Sequence, residues 1–394
     1  MHKKIIIFTT DFSHELIARV HHIVSYLKKK SVPLILINFD FTDYPSSIRG
    51  YTRRVTKSLS SAPKSKGFDQ IIVNLPSLPY PFRGNVRTFL NAISFMLQVF
   101  LGKIICRDID GGLVIGFGPI ACFAAFLIFR KKHPIIYEDT DFWAGLSKGA
   151  LHRLLISCLE RYCLKRAKAV ISNSRMLEKR ARFYNREVYW VPNGVNSKLF
   201  EVKHKVGTSP PSLVYIGSLQ KWAGLQLVVH SLPEILQRYP NLVFKLSGVG
   251  PEKTALETEG ARAGVCDHII FLGKLPYHEI ANLLAESSIG VATFIPNEFN
   301  FYATPLKILE YMAAGLPIIA TNWGETARII KESRAGMLIR WNSAEFKEAV
   351  VQILENANLW EQYSRNGTQW VSSYDWDVVL RRWLEIIHFI MERG

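Results

Sequence analysis

The sequence predicts an α/β protein built from two Rossmann-like, doubly wound domains in tandem that face a central cleft. Three observations carry this expectation. Short apolar runs alternate with amphipathic segments along both halves of the 394 residues, as parallel sheets with crossover helices require. A 48% hydrophobic composition suffices for two ordinary cores, and one core of this length is unusual. A turn signal, Val191-Pro192-Asn193-Gly194-Val195, followed by a polar stretch, divides the chain near its middle. Two such domains leave a cleft at the carboxyl ends of their strands, where ligands of these folds bind.

In order along the chain, Ile5–Thr9 reads as a first buried strand, and Leu16, Val20, Ile23 and Leu27 carry helical spacing. Strands follow at Leu34–Phe39, Ile71–Asn74, Leu113–Phe117, Ile135–Tyr137 and Ala169–Ser172. The polar stretch Asn196–Pro211 suits an interdomain linker stiffened by Pro210-Pro211. Beyond it, strands fit Leu213–Ile216, Leu242–Leu246, Ile269–Leu272, Ile289–Thr293 and Ile318–Ala320. Helices fit Ser231–Arg238 and Tyr277–Glu286.

The most apolar run, Leu113 to Phe129, is followed by Arg130-Lys131-Lys132, a combination that raises a transmembrane reading. It falls short of the roughly 20 residues a span needs, and Gly116-Phe117-Gly118-Pro119 breaks it into a strand and a helix from Ile120. Cys106, Cys122, Cys158, Cys163 and Cys266 lack C-x-x-C spacing, so they read as reduced, mostly buried residues of an intracellular protein without a metal site. Met1-His2-Lys3-Lys4 precedes an apolar run too short for a secretory signal.

Residues 1–190 hold 30 Lys and Arg against 13 Asp and Glu, and residues 191–394 hold 19 against 20. The net charge of +16 therefore originates wholly in the first half. Such a field attracts anions, whether a phospholipid surface, a phosphorylated acceptor or nucleic acid; a merely soluble basic face is the plainer alternative.

The sharpest local feature runs from Thr304 to Ala320. Thr304 suits an N-cap, Pro305 the first helical position and Gly315 the stop. Lys307 then falls in the first turn, where the helix dipole disfavours a cation unless an anion docks there. Free N–H groups and an ammonium together make a phosphate site. Glu310, three residues on, shares that face and could accept ribose hydroxyls. An exposed Lys–Glu pair worth at most about 0.5 kcal/mol is the ordinary alternative.

The run Pro305-Leu306-Lys307-Ile308-Leu309-Glu310-Tyr311-Met312-Ala313-Ala314-Gly315-Leu316-Pro317-Ile318-Ile319-Ala320 resembles the donor signature of family 4 retaining glycosyltransferases, which have the GT-B fold. Val191-Pro192-Asn193-Gly194-Val195, Gly217-Ser218-Leu219, Lys221-Trp222-Ala223-Gly224, Gly248-Val249-Gly250-Pro251 and Leu272-Gly273 resemble further landmarks of that family in order and spacing. The resemblance covers roughly residues 190–380; over 1–190 it rests on strand order and on Asp139-Thr140-Asp141-Phe142-Trp143.

The resemblance implies that Glu310 holds the ribose and that Lys307, with the Thr304-Pro305-Leu306 backbone, faces the pyrophosphate. Gly217, Ser218 and Lys221 would border it, and Gly248 and Gly250 would admit the nucleotide. The chain departs from the family pattern in several places. Tyr302 stands where the family has its first acidic residue, with Asn300 and Glu298 as conceivable substitutes. Ser218 and Ala223 replace the usual phosphate-binding Arg and Lys. Thr9-Thr10-Asp11-Phe12-Ser13-His14-Glu15 replaces the glycine-rich first loop. The implied domains are residues 1–195 on the acceptor side, a linker at 196–211, a nucleotide-sugar domain at 212–372, and a helix at 373–394 crossing back. Trp376 would pack at that crossover.

Other features are weaker. Gly248-Val249-Gly250 is no dinucleotide fingerprint, because Lys253 stands where a third glycine belongs. His21-His22 lack ligands at metal spacing and read as surface residues of a helix. Asp11, His14, Asp139 and Asp141 follow strands at the edge where an acceptor would lie, with capping and turn roles as alternatives. The basic, helix-like segment Arg161–Arg186, with Tyr162 and Phe183, has no nucleic-acid motif beside it.

The expected activity is transfer of a sugar from a UDP- or GDP-sugar to a glycan or lipid-linked acceptor, with retention and without a metal or other cofactor. The nucleotide sugar is itself a substrate. The leaving diphosphate would be stabilised by helix-end N–H groups and Lys307, and the resemblance implies no protein nucleophile. The expected location is the cytoplasm, with peripheral contact to an anionic membrane through the basic half and no nucleic-acid partner. The alternative is a non-catalytic nucleotide-sugar- or membrane-binding protein of the same fold, motivated by Tyr302, Ser218 and Ala223.

Overall fold

The computed structural model describes residues 4–10, 19–39, 56, 70–75, 85–107, 109, 111–129, 133–147, 149–201 and 210–393. The chain divides into two compact units, Met1–Val191 with Leu380–Gly394, and Pro192–Val379.

The first unit is built on a seven-stranded parallel sheet ordered β3-β2-β1-β4-β5-β6-β7. Its strands are β1 (Ile5–Thr9), β2 (Leu34–Phe39), β3 (Gln70–Leu75), β4 (Leu113–Phe117), β5 (Ile135–Asp139), β6 (Ala169–Ser172) and β7 (Val188–Trp190). β1, β2, β4 and β5 are buried along their whole length, which explains their near-continuous Ile, Leu and Val runs. Among the described residues, helices α1 (Arg19–Lys29), α2 (Asn85–Ile105), α3 (Gly118–Phe129), α4 (Trp143–Leu146), α5 (Ala150–Arg166) and α6 (Arg175–Arg182) accompany them.

The apolar run at 113–129 is thus a strand and a helix, and among the described residues no helix is long and apolar enough to cross a membrane. The helix begins at Gly118, two residues earlier than expected. Gly118 has φ +72°, a left-handed turn that glycine adopts without penalty. His21 and His22 are half-buried and not surface residues; burial and the charge of His21 lower His22 to about 4. The segment Arg161–Arg186 is not one helix but the end of α5, β6 and α6. Cys106, Cys122 and Cys163 are buried, whereas Cys158 and Cys266 are exposed.

The second unit repeats the plan with six parallel strands ordered β10-β9-β8-β11-β12-β13. They are β8 (Ser212–Ile216), β9 (Val243–Ser247), β10 (Ile269–Gly273), β11 (Ile289–Ala292), β12 (Ile318–Thr321) and β13 (Gly336–Ile339). Its helices are α7 (Gln226–Leu236), α8 (Lys253–Arg262), α9 (Tyr277–Ala285), α10 (Glu298–Tyr302), α11 (Leu306–Ala313), α12 (Gly324–Ser333), α13 (Ser343–Glu355) and α14 (Ala357–Val371). In each sheet the winding direction reverses beside the first strand, between β1 and β4 and between β8 and β11. Ligands of doubly wound sheets bind outside the carboxyl ends of the strands at that reversal.

A last helix, α15 (Trp376–Glu392), runs to the end of the described chain. In the second unit Trp376 is buried against Gly194, where a β-carbon would stand 2.7 Å from its ring. In the first unit Trp383 donates its indole N–H to the buried carboxylate of Glu138, which Arg19 also holds at 3.1 Å.

Candidate functional site

The second unit assembles its site at the reversal point, at the carboxyl ends of β8 and β11. α11 enters it with Pro305 as N-cap and Leu306 as first helical residue, so Thr304 does not cap the helix as the sequence suggested. The carbonyl of Thr304 instead accepts from Asn193 Nδ2 at 3.2 Å, a contact between residues 111 positions apart. The helix stops as expected. Gly315 takes φ +70°, its N–H meets the Met312 carbonyl at 3.0 Å, and Leu316 N–H meets the Tyr311 carbonyl at 2.8 Å. This is the glycine-terminated motif of helix ends. Tyr311 anchors the helix: its hydroxyl accepts from the Ile216 N–H at 3.1 Å, under the end of β8.

Lys307 is 9% exposed, and its ammonium is boxed by aromatic rings. Nζ lies 4.7 Å from the centroid of Tyr215, 5.2 Å from Phe294 and 5.8 Å from Trp222. It makes no hydrogen bond or ion pair with a described residue. Burial lowers it to about 8, opposed by the charge of Glu310. A β-carbon on Gly217 would stand 3.2 Å from Lys307 Cε and Nζ, so the glycine lets the amine reach the loop after β8. Cation–π contact compensates part of a cation's lost hydration, and beyond it only the charge of Glu310 favours the ammonium.

Glu310 is 8% exposed and is oriented by Tyr277, whose hydroxyl donates to Oε1 at 2.9 Å. Burial raises its carboxyl above the usual range, against the hydrogen bond from Tyr277 and the charge of Lys307. Oε2 takes no hydrogen bond from a described residue. One oxygen is therefore positioned by the protein and the other is available to hydroxyl groups.

The glycine turns pack closely beside this pair. Gly217 N–H donates to the Ser247 carbonyl at 2.8 Å, and Gly248 N–H to the Gly273 carbonyl at 2.7 Å. A β-carbon on Gly248 would meet the Gly217 carbonyl oxygen at 1.9 Å, and one on Gly250 would meet that of Leu219 at 2.2 Å. These two loops pack backbone against backbone, which only glycine at these positions permits.

The remaining candidates divide. Ser218 is exposed, and its hydroxyl donates to the Val249 carbonyl at 3.3 Å. Lys221 is exposed in a single turn of 3-10 helix, and Ala223 is fully buried. Tyr302 is half-buried against Phe301. Asn300 is no donor-sugar ligand through its amide nitrogen: Nδ2 holds the carbonyls of Trp222 at 2.9 Å and Ile295 at 2.8 Å. Glu298 is exposed in the first turn of α10. Sequence reasoning missed Tyr277 and the aromatic box, whose rings come from β8, the connection after it and the connection after β11.

In the first unit Asp11 and His14 lie outside the described residues. Asp139 is fully buried at the end of β5. It caps no helix. Burial pushes it up to about 7, with Arg180 opposing and Glu160 adding to the rise. Asp141 is half-buried and α4 begins without a side-chain cap, so helix capping accounts for neither aspartate. Among the described residues no three His, Cys, Asp or Glu side chains gather as metal ligands.

Known proteins align with this architecture. Residues 210–356 match the family described as Glycosyl transferases group 1. The chain is 24% identical over 209 residues to the phosphatidyl-myo-inositol mannosyltransferase of Mycobacterium leprae, covering 52% of this chain and 54% of that protein. It is 22% identical over 273 residues to a phosphatidylinositol N-acetylglucosaminyltransferase component of Arabidopsis thaliana, covering 68% and 59%. The alignments thus span little more than half the length of these curated relatives. Among solved structures, sucrose-phosphate synthase from Thermosynechococcus elongatus superposes over all of both chains, with a TM-score of 0.78 at 15% identity. HepE of Anabaena, solved with UDP, superposes over 98% of this chain and 99% of its own, with a TM-score of 0.72 at 16% identity. The fold is that of the GT-B glycosyltransferases, and residues 210–356 are a glycosyl transferases group 1 domain.

Proposed function

We propose that this chain transfers a glycosyl group from a UDP- or GDP-sugar to a glycan or lipid-linked acceptor, with retention, in the synthesis of a cell-surface glycan or glycolipid. The observation that carries the proposal is the Lys307 ammonium: nearly buried, boxed by three rings, and without a carboxylate partner among the described residues. A departing nucleoside diphosphate supplies the missing negative charge, and the first-turn N–H groups of α11 add to its stabilisation. Glu310, held by Tyr277, accepts the ribose hydroxyls through Oε2. Gly217, Gly248 and Gly250 let the two loops and the Lys307 amine pack closely beside it.

The donor class is supported by HepE, which was solved with UDP and also with UDP-glucose. Phosphatidylinositol in the names of two relatives supports a lipid-linked acceptor. The basic excess of the first half suits an acceptor at the anionic cytoplasmic face of a membrane. On the acceptor side Asp139 and Asp141 stand at the carboxyl edge of the first sheet, and Asp11 and His14 follow β1 in sequence.

Nucleotide release from a panel of donors tests the assignment. Lys307→Ala and Glu310→Ala should each lower turnover by at least about tenfold, the loss expected for one charged contact. Unchanged turnover in both would sink it. The replacement of two basic residues by Ser218 and Ala223 favours a second reading, a non-catalytic binder. That reading predicts thermal stabilisation by a nucleotide sugar with no product from any acceptor pool.

A further inference from the structure

Among the described residues, the first unit exposes an apolar surface. α2, α3 and α5 lie side by side, with α3 in the middle. Gly102 of α2 admits Ile128 of α3, whose Cδ1 would stand 2.6 Å from a β-carbon there. Phe95 of α2 stacks with Phe123 of α3 at 6.4 Å, and Tyr162 of α5 meets Phe123 and Phe126 edge-on at 5.4 and 5.5 Å.

Along the outer side of this layer, Met96, Phe100 and Ile104 recur at helical spacing on α2, exposed by 60, 60 and 48%. On the first turns of α5, Leu151, Leu154 and Leu155 are exposed by 69, 61 and 50%. Isolated apolar residues on a surface are ordinary, but two such stripes joined by half-buried phenylalanines form a patch.

Among the described residues, the charges that these three helices expose have one sign. α2, α3 and α5 together contain a single acidic residue, Glu160, which is fully buried and paired with Arg180 at 2.9 Å. Lys103 on α2, with Arg153, Arg161, Lys165 and Arg166 on α5, is exposed. A second copy of the chain would set these cations against themselves. An anionic bilayer complements both features, because headgroups pair with the cations while the acyl boundary takes the apolar side chains.

We propose that this three-helix face docks the first unit on an anionic phospholipid surface by inserting its leucine and phenylalanine side chains at the headgroup boundary. The proposal deepens the acceptor assignment above and rests on it for biological purpose; the binding itself stands on the surface chemistry alone.

The test is co-sedimentation of the full chain with vesicles of mixed phosphatidylglycerol and phosphatidylcholine, and with phosphatidylcholine alone, at low and high salt. The mixed vesicles should bind the protein, and a fraction should stay bound at high salt, because inserted apolar area is not screened. Leu151→Ser combined with Leu154→Ser should cut partitioning by at least about tenfold, from the apolar area withdrawn from the membrane. Its melting temperature and vesicle-free nucleotide release should match the parent, since both side chains are already exposed.

Lys307→Ala, which tests the transfer chemistry, should bind vesicles like the parent, so failure of one idea is distinguishable from failure of the other. Absence of binding to the mixed vesicles would overturn insertion. So would binding that salt abolishes and the double variant retains, or a solution dimer that the double variant disperses.

Discussion

The hydroxyl of Tyr277 donates to Glu310 Oε1 at 2.9 Å, joining the first residue of α9 to the middle of α11. This bond fixes which carboxylate oxygen is left for a ligand. Hydrogen bonds to charged acceptors contribute about 1.5–3 kcal/mol. Tyr277→Phe should therefore raise the KM for the donor by about tenfold. In the Glu310→Ala background the same change should add little, and steady-state kinetics of the double-mutant cycle measure the coupling. Additive effects would mean that the tyrosine does not act through the carboxylate.

Lys307 gives the site a pH dependence with a defined sign. Burial lowers the free amine to about 8, and a bound diphosphate favours the protonated form. Nucleoside diphosphate affinity should hold steady below about pH 8 and weaken above it, by up to about tenfold per pH unit, until the amine of the complex titrates. Calorimetric titration with UDP and GDP across that range follows the change. Lys307→Arg, whose guanidinium stays charged, should flatten the profile. A parent profile already flat through pH 9 would remove the amine from the site.

Much of this architecture was legible in the sequence because parallel strands buried on both faces need unbroken apolar runs. Ile5–Thr9, Leu34–Phe39, Leu113–Phe117 and Ala169–Ser172 agree residue for residue with the structure. β13 (Gly336–Ile339) was not legible: it is a half-buried edge strand that opens on glycine. Gly315 announced the end of α11, because a left-handed residue there is a local requirement. The beginning was misread because Thr304 is held by Asn193, a long-range contact. Lys307 and Glu310 could be named from one helical turn. The environment that gives them their chemistry could not, since Tyr215 and Trp222, Tyr277, and Phe294 come from three segments distant in sequence from one another or from the helix.

Gly248 sits at φ +141°, and a β-carbon there would lie 1.9 Å from the Gly217 carbonyl oxygen. Both facing atoms belong to backbone, so neither can move without disturbing the pairing of β8 with β9 that ends at Ile216 and Ser247. Gly248→Ala should cost on the order of 1–3 kcal/mol of stability from strain at this position. It should also lower nucleotide affinity by displacing the Gly217 loop from Lys307. Chemical denaturation and nucleotide titration measure the two effects. A variant as stable as the parent would show that the turn has room to relax.

Asp139 offers a prediction about the first unit that is independent of any ligand. Its carboxyl is fully buried, and burial raises it to about 7; Arg180 and a hydrogen bond from Tyr137 oppose the rise, while Glu160 and Asp141 add to it. Tyr137, two residues earlier on the same strand, is itself fully buried. The unfolded chain ionises this group near 3.8, so between about pH 4 and 7 the folded protein holds the extra proton. Stability from this site is therefore full below the unfolded value and is lost as pH rises towards 7. Asp139→Asn keeps the shape and cannot ionise. It should match the parent near pH 4 and exceed it above pH 7 by up to a few kcal/mol, or several degrees in melting temperature. Thermal melts of both proteins at intervals between those limits provide the comparison. A difference that does not change with pH would mean that Asp139 is already ionised in the folded state, with a counter-charge satisfying it.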